Sequence, residues 1–141
     1  MTVTVEELFD TGLQRYKDGE SAADLIPVFK EVCDRSPKSG SAWICLAWLY
    51  LLEEKGQLAY KAASKAVKIN PQDPQGRVNL ALAMLETGQK GLREHIIAAQ
   101  QLIFVNKEWE EELRNSIEDG LARRPNWNNL AKVKTWLFDI S

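Results

Sequence analysis

Residues Ala42 to Leu52 read Ala-Trp-Ile-Cys-Leu-Ala-Trp-Leu-Tyr-Leu-Leu, an uninterrupted apolar run of eleven residues. A membrane-spanning helix needs roughly 18 or more such residues, so this run is too short to cross a bilayer. A helix that is apolar on every side has to be covered on every side. The remaining chain is therefore expected to wrap this segment with further helices. At 141 residues one domain is expected, and a domain of ~150 residues buries roughly 68–70% of its unfolded surface, enough for a sizeable core.

Within the run, Trp43, Leu46, Ala47 and Tyr50 follow the spacing W-x2-L-G-x2-Y, with alanine in the small-residue slot. Ala59, Ala63, Ala66 and Pro71 continue in register as A-x3-(F)-x2-A-x4-P. Alanine at such positions lets two helices approach closely. These residues resemble the tetratricopeptide repeat (TPR), a helix-turn-helix unit of about 34 residues, and the likeness extends over Glu6 to Phe104. The family's helix pairs stack into a right-handed superhelix, and their first helices line a concave groove that holds segments of other proteins.

The first unit, residues 6–37, is degenerate. Leu8, Phe9, Gly12, Leu13 and Tyr16 are spaced for an amphipathic helix over Glu6 to Asp18. Gly19 ends it, Ser21 is placed to cap the next helix, and Pro27 is expected near that helix's first turn, where a missing N–H is tolerated. In the clear second unit, 40–71, Ser41 is the expected cap, the first helix ends near Gly56, and the second runs from about Gln57 to Ile69. Ala59, Ala62, Ala63, Ala66 and Val67 point inward, while Lys61, Lys65 and Lys68 form a solvated outer face. The third unit, 74–105, has Arg77 in the tryptophan slot but keeps Leu80, Ala81, Met84 and Gly88. Its second helix is expected over about Gln89 to Phe104. Helices over Glu108 to Arg123 and Asn128 to Phe138 match no repeat, and residues 107–141 are expected to cap the array's exposed end. The expected architecture is all-α, about eight helices, with a two-helix C-terminal cap. Acidic residues at the start of the first tail helix and Arg123 and Arg124 at its end suit the helix dipole.

Carried over position by position, the resemblance implies a groove of Phe9, Leu13, Tyr16 and Lys17 from the first unit. The second contributes Ser41, Ile44, Trp48, Leu51 and Leu52, and the third Gln75, Val78, Leu82, Leu85 and Glu86, with Asn79 at the margin. Some relatives carry a carboxylate clamp of Lys, Asn and Arg for the acidic ends of heat-shock chaperones. Here the corresponding positions are Phe9, Leu13, Cys45 and Gln75, so that clamp is absent. An apolar groove must be covered, either by an amphipathic or hydrophobic segment of a partner or by the chain's own Trp- and Leu-rich tail. The stretch Arg123 to Leu137 also resembles the end of short repeat proteins from cyanobacteria and plastids, some of which assist assembly of photosynthetic complexes.

Other functions find less support. The formal net charge is −2, which lacks the basic footprint of a nucleic-acid binder. RNA would have to use Lys61, Lys65, Lys68 and the patch Arg123, Arg124, Lys132 and Lys134. Pairing of one copy's groove with another's tail would give a homodimer. No phosphate loop, zinc motif or nucleophile elbow occurs, and the lone histidine, His95, reads as structural and partly exposed, so no catalysis, metal or cofactor is expected. Cys33 and Cys45 read as small buried hydrophobes. Residues Met1 to Glu7 show neither a basic leader nor an apolar signal core, which leads to the expectation of a cytoplasmic protein.

Overall fold

The computed structural model describes residues 3–139, and among them it holds eight α-helices and no strand. These are α1 (Val5–Lys17), α2 (Ala22–Arg35), α3 (Gly40–Leu52), α4 (Gly56–Ile69), α5 (Pro74–Glu86), α6 (Arg93–Phe104), α7 (Lys107–Arg123) and α8 (Asn128–Phe138). Successive helices pack as hairpins, α1 on α2, α3 on α4 and α5 on α6, and each hairpin also contacts the next. The result is a TPR-like array with α7 and α8 at its end.

The apolar run sits at the centre. Nine of the thirteen residues of α3 are buried, which requires neighbours all around it. Ala59, Ala63 and Ala66 of α4 are wholly buried, and their small side chains leave room for α3 and α5. The arrays of α5 and α8 close the far side, with Val78, Leu82, Leu130 and Val133 in one continuous core.

Three expected boundaries and the place of one proline shift for local reasons. Ser39, rather than Ser41, caps α3: its hydroxyl accepts from Ala42 N, and Ser41 already lies within the helix. Gly56 opens α4 instead of closing α3, which stops at Leu52 with Glu54 in the left-handed region. α6 begins at Arg93 rather than near Gln89, because Gly88 and Gly91 at φ 71° and 93° hold a loop there. Pro27 lies in the second turn of α2, not its first, and the helix runs through it. The carbonyl of Ala23, which Pro27 leaves without a helical donor, belongs to an exposed residue.

Candidate protein-binding groove

The first helices bring part of the expected groove together. Leu13 and Tyr16 of α1, with Ile44 and Trp48 of α3, line a cleft of about 720 Å³ whose opposite wall is α7. Phe9 instead meets Phe29 edge-on at 5.8 Å. Leu51, Val78, Asn79 and Leu82 have no solvent exposure at all, Leu52 is buried, and Leu85 is partly buried. Asn79 is a structural tie: its amide donates to Ile44 O at 3.0 Å and its carbonyl accepts from Gln75 at 2.8 Å. With Ile44 and Trp48, which are also buried although they border the cleft, seven of the expected residues are thus enclosed by the fold itself.

What encloses them is the tail. Trp127, which begins the turn into α8, lies against Trp48 with ring centroids 5.6 Å apart. Gly120 of α7 is pressed onto the same indole: a Cβ there would stand 2.7 Å from Trp48 Cζ2 and 2.9 Å from Leu130 Cδ2. Only a residue without a side chain allows that approach.

Two arginines fix α7 across the concave face. Arg123 donates to the carbonyls of Tyr16 at 2.5 Å and Glu20 at 2.9 Å, and its guanidinium stacks 3.7 Å from the Tyr16 ring centroid. Arg124 donates to Leu51 O at 2.9 Å and to Glu86 at 2.6 Å, and Asn129 donates to the other Glu86 oxygen at 2.5 Å. Tyr16 O and Leu51 O also accept from Gly19 N and Glu54 N, so each arginine is a second donor at one helix end, α1 or α3, and adds a positive charge where the dipole favours it. Half of the basic patch available for RNA is therefore engaged inside the protein. The sequence placed these arginines at the end of α7 but offered no sign of their acceptors.

Inside the open cleft, Tyr16 Oη accepts from Trp48 Nε1 at 2.9 Å and donates to Asp119. Burial, then the bond to Asp119, pushes the Tyr16 hydroxyl above its usual range, so it stays neutral. Lys17, Gln75, Glu112, Asn115, Ser116, Asp119 and Arg123 supply the polar rim. The α7 contributions were invisible in the sequence because no pattern there states which face of the array the tail crosses.

The remaining reactive groups are placed for structure. Cys33 is buried as expected, whereas Cys45 is only partly buried and borders the cleft; both are free thiols, and desolvation pushes both up to about 12, which leaves almost no thiolate at neutral pH. His95 is buried rather than partly exposed. Arg77 Nη1 lies 2.9 Å from its Nδ1, and desolvation followed by the Arg77 charge holds the ring below its ordinary value. Among the described residues no three His, Cys, Asp or Glu side chains form a cluster able to hold a metal, and no helix is long and apolar enough to cross a membrane.

No protein-family model matches the chain, and no curated protein sequence does. Solved structures do match. The Yersinia enterocolitica type III secretion chaperone SycD, in complex with a peptide of the translocator YopD, superposes with a TM-score of 0.69 at 18% identity, over 95% of each chain. An alternative dimer of the same translocator chaperone gives 0.69 at 18%, over 95% of this chain and 94% of that one. MamA of MSR-1 gives 0.62 at 17%, over 95% of this chain and 77% of that one. At such identities the likeness establishes the fold. It does not extend to the cyanobacterial and plastid resemblance of the tail.

Proposed function

We propose that this chain is a non-catalytic protein-binding module, an adaptor or assembly factor, whose concave face holds an apolar or amphipathic segment of a partner protein. The observation that carries the reading is the cleft between α1, α3 and α7, where Leu13, Ile44 and Trp48 form an apolar floor inside a polar rim. Ligand sites combine apolar walls with a few placed polar groups in this way. A structural relative that holds a translocator peptide on the same fold supports it. On this reading the groove residues fall into two sets. Leu13 and Tyr16 meet the partner over the largely buried Ile44 and Trp48, while Leu51, Leu52, Val78, Asn79, Leu82 and Leu85 form the floor under the tail, and Phe9 braces α1 against α2. We read residues 6–37, 40–71 and 74–105 as three repeats of one domain and 107–141 as its cap.

The test is capture from source lysate on immobilised protein, comparing wild type with Leu13→Glu, Ser116→Arg and a control, Lys132→Glu. Capture that both cleft variants lose and the control keeps supports the reading. Capture retained by all three moves the partner off the concave face. If the captured species is the protein itself, and sedimentation gives a dimer that Leu13→Glu dissociates, the groove serves self-association.

A further inference from the structure

A second cleft opens on the opposite face of α3. At ~100° per residue around a helix, Trp43, Leu46 and Tyr50 share one side, roughly 150° from Ile44 and Trp48. They floor a cavity of about 630 Å³ between α2 and α4, with Leu58, Tyr60 and Ala62 along its wall. Its rim is basic. Lys30 of α2 and Lys61, Lys65 and Lys68 of α4 surround it, against Asp34 alone. All four lysines are exposed. Among the described residues none forms an ion pair, and Lys65 lies 4.7 Å over the Trp43 ring, the only one with an aromatic partner.

This is a concentration of positive charge on a chain of net charge −2. Solvation explains why lysines stand on an outer helix face, but it does not explain why they ring an apolar depression with Leu58 44% exposed at its edge. We infer that this convex cleft is a second docking surface, and that its occupant is a short acidic segment of a partner protein carrying aliphatic or aromatic anchors. The anchors enter between α2 and α4 onto Trp43, Leu46 and Tyr50. Their flanking carboxylates meet Lys61, Lys65 and Lys68, which extend along about 10 Å of α4 at 1.5 Å per residue. Complementary charge of this kind sets orientation and speeds encounter, while the apolar contact retains the ligand. A nucleic acid would satisfy the lysines, but Lys65 already lies over the Trp43 face and Tyr50 is only 7% exposed, which leaves a base few flat faces to stack on, whereas Leu58 offers aliphatic surface. The inference is independent of what the concave groove holds.

The probe is a short fluorescein-labelled peptide with leucine and phenylalanine four residues apart and glutamate elsewhere, read by anisotropy beside its lysine-for-glutamate counterpart and a labelled oligouridylate. The expected result is binding of the acidic peptide only, weakened about tenfold or more in Lys61→Glu/Lys68→Glu, unchanged in Leu13→Glu, and reduced by added salt. Both lysines are exposed, so their replacement leaves the fold in place. Equal binding of acidic and basic peptides, no loss in the lysine variant, loss in Leu13→Glu, or preference for the oligouridylate would each overturn it. So would the absence of acidic-peptide binding to wild type.

Discussion

The α3–α4 hairpin and the α7–α8 tail both bury α3, by opposite means. The hairpin is closed by shape: Ala59, Ala62 and Ala63 are buried with Leu46, Leu49 and Tyr50 in one apolar cluster. The tail adds its own apolar contacts but is fixed by directed bonds, from Arg123 to the end of α1 and from Arg124 to the end of α3 and Glu86. Shape packing fails only when atoms are removed or added. Charge-assisted bonds are also open to salt, competing donors and the loss of one partner. The array is thus expected to persist when the attachment of the tail is altered, although both share one core.

The largest effect is expected from Leu51→Ala, in the middle of the shared core. Leu51 is wholly buried, and such truncations cost about 2–5 kcal/mol. Thermal unfolding should drop for the molecule as a whole, with amide protection lost in α3 and α4 together. A variant that loosened only α7 and α8 would contradict the division drawn above.

Gly120→Val comes next. The added atoms would overlap Trp48 and Leu130, and overpacking of this kind costs about 1–3 kcal/mol. Because both obstacles are side chains of the tail interface, α7 should lift while α3 and α4 keep their protection. Exchange measured helix by helix separates these outcomes, and Trp48 emission should shift as its indole gains water.

Arg124→Ala is expected to cost about 2 kcal/mol, the worth of hydrogen bonds involving a charged group. It removes the cation that pairs with Glu86, whose carboxylate is only 11% exposed and keeps Asn129 as its donor, while Leu51 O keeps the Glu54 N–H. Adding Glu86→Gln should restore part of the loss by removing the unpaired charge, whereas the same second change in the Leu51→Ala background should restore nothing.

How far the sequence disclosed this arrangement follows from the same contrast. The helices, the central hairpin and its alanine contacts were legible because they repeat at helical spacing, and spacing is a local property. Ser39 and Ser41 flank one glycine and carry the same hydroxyl, so sequence could not choose between them as the cap. The roles of Arg123 and Arg124 were not legible at all, since beside Asp119 and Glu86 their acceptors are main-chain carbonyls of Tyr16, Glu20 and Leu51, which carry no residue code. For the same reason the expected groove was too long: each first helix announces a concave face, but none announces that α7 and Trp127 will lie on it.

The smallest effect concerns the α5–α6 hairpin, where a directed bond occurs inside the array. Arg77 donates to His95 Nδ1, which requires a neutral ring with that nitrogen unprotonated. His95 is buried, and desolvation and then Arg77 lower its pKa from 6.5, so the folded state binds its proton more weakly than the unfolded chain. The stability contributed by this shift is full above pH 6.5 and declines as pH falls through the lower folded value. Wild type should therefore lose stability between neutral and mildly acidic pH, and His95→Gln should flatten that slope while keeping a side-chain acceptor for Arg77. An unchanged slope in the variant would show that the Arg77–His95 contact is not the source of the acid sensitivity.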